Sequence, residues 1–492
     1  MTTDIPVRDR IGVIDIGSNS VRLVVFEGGN RSPSYFYNEK ILCGLGIGLA
    51  SSGVLNPEGR IRARAALKRF ALITKGMRLT KLHAVATEAV RSAKDGARFC
   101  EEVEQDTGIK IQIISGEEEA TLSAQGVLLS DPKAEGVICD IGGSSMELGV
   151  LRDGQVGLVR SSRLGPMSIE ADSMDPAQQD EMIASELDKL LDGFPISKDT
   201  PLYLIGGSWR AMAVIDMLRR DYALHIIHDY RPLANHFKTT LGEIANGDPN
   251  GLFDGTAISE RRRQLLPLAA RVLLALLQRT KTNNIRVSSF GLREGVLYDA
   301  MSDEMRAKDP LISAARADEQ ARARFPGFGD VLFQWLAPAF HNLDAGKLRL
   351  LRAACFLHDI HWNSHPDYRA EMCFDAATHT NLTGIDHAGR VFLGWILMHR
   401  YKPRGLSGIY TEIEELISPE DRNLAQSMGL GIRLGAMMSG AEKDMMGQLL
   451  ISGDQLEIQL SDEAQAIFGE VVRKRFRAFA AALGLDPVEV IS

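Results

Sequence analysis

A fifteen-residue segment occurs twice in this chain. Asp15–Gly29 (DIGSNSVRLVVFEGG) aligns without a gap on Asp140–Gly154 (DIGGSSMELGVLRDG), 125 positions later. Seven pairs are identical: Asp15/Asp140, Ile16/Ile141, Gly17/Gly142, Ser20/Ser145, Leu23/Leu148, Val25/Val150 and Gly29/Gly154. Unrelated windows of that length share about one residue at usages of roughly 5–7% per residue type. Each copy is an apolar run closing on Asp (Ile11–Ile16, Val137–Ile141), a Gly/Ser turn and a returning apolar run (Val21–Phe26, Met146–Leu151). The returning runs end in Gly28-Gly29 and Asp153-Gly154, both turn signals. A duplicated hairpin predicts two related half-lobes, and a cleft between such lobes is a common ligand site.

The turns have a chemistry of their own. Glycine lets backbone N–H groups approach an anion, and the hydroxyls of Ser18, Ser20, Ser144 and Ser145 and the amide of Asn19 add donors. Asp15 and Asp140 stand where each strand leaves its sheet, a position suited to holding a divalent cation. An ordinary β-turn with Gly at positive φ explains either copy alone, but the pair together points to function. Between the copies, strands alternate with helices. Asn56-Pro57 caps a helix with an expected apolar face of Ile61, Ala65, Phe70, Ile73 and Met77. Leu82–Ala86 reads as a strand running into a helix at Thr87–Arg91. Ile109–Ile114 reads as another, running into a helix from Ser115 to about Leu129. This alternation predicts an α/β fold with mixed sheets. Arg91 and Glu119 then fall at strand-to-helix junctions, on the sheet edge where α/β ligands bind. An Arg there can fork onto phosphate oxygens, and a Glu facing phosphates gains the proton affinity of a general base. Glu117–Glu119 equally suit the positive end of the helix dipole.

A third glycine turn follows an apolar strand at Gly206-Gly207-Ser208, with Ser208 placed to cap the next helix and expose an anion site. Arg286–Phe290 gives a last strand and Gly291–Asp299 a short helix. A charged, Ala/Arg-rich stretch at Asp303–Asp330 marks a boundary. Beyond it, seven of the 11 histidines lie between His341 and His399. His358-Asp359 is the signature pair of HD metal phosphohydrolases, with His341 and His387 or His399 as further candidate ligands. Ala436 stands where a working HD site would place an Asp, so the expectation is a structural helical module. A strand at Gln455–Leu460 and a basic amphipathic helix at Val471–Leu483 close the chain. Its Arg473, Lys474, Arg475 and Arg477 read as a solvated face or as the extension of a polyanion channel.

Composition sets bounds. With 492 residues, 45% hydrophobic, the chain predicts about three cored domains. No apolar run reaches a membrane span, and the first ten residues contain no secretory apolar stretch. Five scattered cysteines fit a reducing, cytoplasmic setting. The net charge of −8 argues against broad nucleic-acid binding.

These residues resemble the Ppx/GppA family of exopolyphosphatases and guanosine pentaphosphate phosphohydrolases, within the actin-like superfamily. DIGSNS (Asp15–Ser20) and DIGGSSME (Asp140–Glu147) are similar to its two phosphate motifs, and IGGSWRAMA (Ile205–Ala213) to its third glycine motif. ATEAVR (Ala86–Arg91) is similar to the segment carrying the phosphate-binding Arg, and SGEEEA (Ser115–Ala120) to the one carrying the proposed catalytic base, Glu119. FGLREGVLYD (Phe290–Asp299) looks like the segment that closes the second lobe. Two departures are Ser144, where a third Gly is frequent, and Met146, where Thr is common. The resemblance implies two actin-like (ribonuclease H-like) lobes, 1–125 and 126–302, flanking a cleft. An all-α HD-like domain with a small terminal extension, 303–492, would follow.

It further implies hydrolysis of the terminal phosphoanhydride of inorganic polyphosphate. Gly17, Ser18, Asn19, Ser20, Gly142, Gly143, Ser144, Ser145, Gly206, Gly207, Ser208 and Arg91 would hold phosphates. Mg²⁺ would sit near Asp15, Asp140 and Glu147, with K⁺ as a candidate accessory ion, in a cytoplasmic homodimer without nucleic-acid or membrane partners. Alternatives are guanosine pentaphosphate as the substrate, a polyanion sensor without turnover, and an actin-like ATPase or sugar kinase.

Overall fold

The computed structural model describes residues 9–27, 31–171, 175–247, 251–402, 408–438 and 445–491. Two compact units divide the chain, Met1–Lys308 and Asp309–Ser492. The division falls six residues past the expected 302/303 boundary. The short helix Asp303–Arg306 stays with the first unit because the Arg306 guanidinium donates to the Tyr298 and Asp299 carbonyls at 3.1 and 2.8 Å.

The first unit contains two sheets of the same plan. The first comprises β1 (Arg10–Ile16), β2 (Ser20–Glu27), β3 (Ser34–Leu42), β4 (Lys81–Ala86) and β5 (Gln112–Ile113), in the order β3-β2-β1-β4-β5. The second comprises β6 (Gly136–Ile141), β7 (Met146–Arg152), β8 (Gln155–Ser162), β9 (Leu202–Gly206) and β10 (Ile285–Val287), in the order β8-β7-β6-β9-β10. In each sheet an antiparallel meander of three strands is extended by two parallel ones. Asp15 pairs with Arg22 across the first hairpin, and Asp140 with Glu147 across the second. Asp153 and Gly154 both take positive φ (52° and 70°), as the two-residue turn after β7 requires. The corresponding Gly28-Gly29 lies outside the described residues.

Local signals set most element starts. Asn56 accepts from the Gly59 N–H at 2.8 Å with Pro57 behind it, opening the helix Pro57–Gly76. Ser115 and Glu118 form a reciprocal capping box that opens the helix Gly116–Ser130. Packing corrected other expectations. Ile61 and Ala65 are exposed, and the buried stripe of Pro57–Gly76 is Ala63, Ala66, Leu67, Phe70 and Thr74. Nine residues at about 100° each put Ile61 opposite Phe70, so the two cannot share a face. The strand expected over Ile109–Ile114 shrinks to Gln112–Ile113, and that over Arg286–Phe290 becomes Ile285–Val287.

Two helices carry the chain across the lobes. Gly116–Ser130 follows β5 yet packs on β7 and β8; Leu292–Asp299 follows β10 yet packs on β1. Position 125/126, the expected lobe boundary, is thus mid-helix rather than a linker. Where the two helices meet, a Cβ on Gly295 would lie 1.7 Å from the Leu122 carbonyl oxygen. Only glycine permits that approach.

The second unit is helical, with a three-stranded sheet β11 (Gln448–Ser452), β12 (Gln455–Leu460) and β13 (Asp486–Ile491) in that order. His358 is buried with Nδ1 at 2.8 Å from the Cys355 carbonyl, and both Asp359 oxygens are taken by Arg324 at 2.6 and 2.9 Å. His341 is exposed, and the His399 ring stacks on Trp395. Among the described residues no three His, Cys, Asp or Glu side chains are grouped to hold a metal, and no helix is long and apolar enough to cross a membrane.

Candidate active site

The two duplicated turns, the third glycine turn and the start of Leu292–Asp299 surround a cavity of about 210 Å³. Its wall includes Asp15, Gly17, Ser18, Asn19 and Ser20 from the first hairpin and Asp140, Gly142, Gly143, Ser144 and Ser145 from the second. Gly206, Gly207, Ser208 and Glu119 complete the expected set that faces it.

The duplicated turns are braced alike. In each, the glycine N–H donates to the serine carbonyl three residues on (Gly17 to Ser20, 3.0 Å; Gly142 to Ser145, 2.9 Å). The turn carbonyls are pulled outward. Ser18 O accepts from Gly46 N–H at 2.8 Å and Asn19 O from Cys43 N–H at 3.0 Å. Across the cleft, Gly143 O accepts from Met167 N–H and Ser144 O from the Ser168 hydroxyl, both at 2.8 Å. A trans peptide directs its N–H opposite to its C=O. The N–H groups of Asn19, Ser20, Ser144 and Ser145 are therefore turned away from these braces, and no turn or loop hydrogen bond takes them among the described residues. The Ser144 hydroxyl donates to Ser18 Oγ at 3.0 Å, joining the two turns directly.

The third turn works through a helix end. Gly206 has φ 112°, and its Cβ would meet the Ile141 carbonyl oxygen at 2.5 Å, so β9 can pass into Gly207–Arg219 only at a glycine. Ser208 lies inside the helix rather than at its cap, because Gly206 is the N-cap and has no side chain to offer. The first N–H groups of this helix border the cavity, a favourable place for an anion.

Charge of both signs meets here. Glu119, 9% exposed, has its carboxyl pushed up to about 8 by burial, helped by the charges of Asp140 and Asp15 and opposed by Arg91. Asp15 and Asp140 are both raised, chiefly by burial. Asp15 meets Arg293 at 3.4 Å, and Asp140 accepts a hydrogen bond from Ser123. Opposing them are four cations on the wall that the motif reading passed over: Lys40, Arg210, Arg262 and Arg293. Burial, then the charges of Arg262 and Arg22, push the Lys40 ammonium down to about 8. Arg210 and Arg293 stand inside the quoted motifs IGGSWRAMA and FGLREGVLYD, so a signal existed. Lys40 lies outside every one of those motifs.

Two expected residues are elsewhere. Arg91 is not on the cavity wall: it donates to the Ile114 carbonyl at 2.6 Å, to Glu119 at 3.3 Å and to Glu88. It is aimed at the carboxylate rather than at the space a phosphate would fill. Glu147 is 1% exposed, lies off the wall, and accepts from the Ser161 hydroxyl at 2.9 Å. Its carboxyl is held well above the usual range by burial and by the charges of Glu119 and Asp140. Of the three acidic residues expected to stand together, only Asp15 and Asp140 reach the cavity wall.

A family model described as the Ppx/GppA phosphatase family matches residues 24–304, and one described as exopolyphosphatase, C-terminal, matches 311–486. Among solved structures, an exopolyphosphatase from Cytophaga hutchinsonii is 25% identical with a TM-score of 0.52, over 60% of this chain and 98% of that one. A Ppx/GppA family member from Aquifex aeolicus is 24% identical with a TM-score of 0.51, over 59% and 97%. An exopolyphosphatase-like protein is 21% identical with a TM-score of 0.52, over 59% and 97%.

Proposed function

Because the chain belongs to the Ppx/GppA phosphatase family, we propose that it is an exopolyphosphatase, releasing orthophosphate from the end of inorganic polyphosphate with Glu119 as general base. The observation that carries this reading is the placement of the Glu119 carboxylate, buried at the cavity wall with Asp15 and Asp140 and opposite a cradle of free N–H groups.

The N–H groups of Asn19, Ser20, Ser144 and Ser145 and the start of Gly207–Arg219 receive the terminal phosphoryl oxygens. Lys40, Arg210 and Arg262 neutralise the phosphates that follow. Glu119 accepts a proton from water as the water oxygen bonds to phosphorus; the bridging P–O bond breaks, and its electron pair leaves with the shortened chain. Arg91 positions Glu119 and keeps part of its charge. Among the described residues no aromatic side chain lines the cavity, which favours a bare phosphate chain over guanosine pentaphosphate, whose base an aromatic ring would stack.

Mg²⁺ fits the residues present. Asp15 and Asp140 offer hard oxygens whose charges repel each other in a buried setting. Two carboxylates plus substrate phosphates are a usual Mg²⁺ environment. Bound there, the ion would offset charge on the transferring group. The cysteines of the described residues are all unpaired and buried, in keeping with a cytoplasmic protein.

Phosphate release from polyphosphate of defined length, with and without Mg²⁺ and beside guanosine pentaphosphate, tests the reading. Mg²⁺-dependent release from polyphosphate at the higher kcat/KM is expected. Binding of both without release would make the protein a sensor instead.

A further inference from the structure

The basic helix Glu470–Leu483 does not present one solvated face. Arg473 pairs with Glu489 at 2.9 Å, and Lys474 and Arg477 are exposed. Arg475 is half-buried. One turn further on, Phe479 packs against Gly431 of the helix Pro419–Met438, where a Cβ would sit 3.0 Å from its ring. This contact sets Arg475 beside Arg433, whose charge, with that of Arg400 and with burial as the leading cause, pushes Arg475 down to about 10.

Arg433 follows Gly429 by one turn, and a Cβ on Gly429 would lie 3.2 Å from the backbone nitrogen of Arg400, just beyond the helix His387–His399. Arg433 donates to the Tyr401 carbonyl at 3.0 Å, while the Arg400 guanidinium lies over the Tyr401 ring at 4.6 Å. Arg400 Nε is buried without a hydrogen-bond partner. Three segments thus bring three arginines to one place, and the only charges that shift Arg433 and Arg475 are other arginines. Elsewhere in this unit arginines are paired with carboxylates, as Arg324 is with Asp359, Arg349 with Asp309, and Arg316 and Arg352 together with Asp330. Here no carboxylate is supplied among the described residues.

We propose that Arg400, Arg433 and Arg475 form a binding site, contained wholly in the second unit, for a single phosphate-type oxyanion. The two oxygens of a planar carboxylate are filled by two guanidinium groups, as Asp330 is by Arg316 and Arg352, whereas a tetrahedral dianion offers acceptors to forks arriving from three directions. A polymer track is not the better fit, because the neighbouring Arg473 is already held by Glu489.

Equilibrium dialysis of the full chain with radiolabelled orthophosphate tests the site. Arg475→Met, at a side chain that makes no hydrogen bond or ion pair among the described residues, is expected to bind one equivalent less than the unaltered protein, or to bind that equivalent at least about tenfold more weakly. Arg473→Met serves as the control and should bind as the unaltered protein does. Displacement of that equivalent by glycerol phosphate assigns an organic phosphate ester as a ligand; retention assigns the free ion. In phosphate-free buffer the thermal midpoint of Arg475→Met should be unchanged or higher, since a like-charge repulsion is relieved, which also shows that the variant folds. Equal binding by Arg475→Met and the unaltered protein, or no saturable binding by either, would overturn the proposal.

Discussion

At position 22 the first hairpin carries an arginine, and at the matching position 147 the second carries a glutamate. The strand registers extend the contrast into two rows, Asp15–Arg22–Lys40 across β1, β2 and β3, and Asp140–Glu147–Ser161 across β6, β7 and β8. Burial, then the charges of Arg293 and Arg210, push Arg22 down to about 10, and Lys40 falls to about 8. The second row has no cation; a serine hydroxyl serves its glutamate instead. Duplication kept the backbone that aims N–H groups into the cleft. Side-chain divergence then gave one copy the cations Arg22 and Lys40 and the other the buried Glu147, while each copy kept the aspartate that raises Glu119. The comparison teaches that a repeat can conserve a cradle while dividing the chemistry around it.

The division is most sharply broken at Glu119. Glu119→Gln should lower kcat by about 10²–10⁴-fold in a phosphate-release assay and leave polyphosphate binding largely intact; equal loss of both would remove its role as base. On the cationic side, Lys40→Gln should raise KM by about 10–100-fold, the worth of one charge-assisted hydrogen bond, with a smaller change in kcat. Ser161→Ala, at the matching place in the second row, should leave KM within about threefold.

The opposed shifts also fix a pH dependence. As the proposed base Glu119 would act when ionised, so kcat/KM should rise with pH through the region of its raised value, about 8. Lys40, pushed down to about 8, would serve a phosphate only when charged, so kcat/KM should fall again above that pH. A narrow bell near pH 8 is expected, and Lys40→Gln should remove its alkaline limb. Because Arg91 lowers the proton affinity of Glu119, Arg91→Gln should move the acid limb to higher pH with little change in KM. A tenfold rise in KM would place Arg91 on the phosphates after all. The smallest effect belongs to Ser144→Gly, which deletes the hydroxyl bridge to Ser18; a change of about 0.5–1.5 kcal/mol in unfolding free energy should appear in denaturant titration.

Much of the site could be read from the chain itself. The duplicated turns, the glycine at 206 and the capping box before Glu119 are each specified within about four residues. Asp153-Gly154 was equally local, and the structure places it in the expected turn. Failures came where one residue type fits several neighbours. An apolar face on Pro57–Gly76 was expected to include Ile61, and Ser208 was expected to cap a helix that starts a residue earlier, at Gly207. The segment Ala86–Arg91 singles out Arg91, but no local signal says whether its guanidinium meets a phosphate or the Glu119 carboxylate 28 positions away.

The order of residues alone determined two homologous hairpins, their tight turns, and a glutamate in the first turn of a capped helix, because backbone conformation at turns and caps answers to the nearest few side chains. Tertiary structure decided the rest. It brought Arg293 to Asp15 across 278 positions, set Lys40 and Arg262 on one wall, and sank Glu147 beneath it. Charges act through space and burial, and neither is defined until the chain has closed.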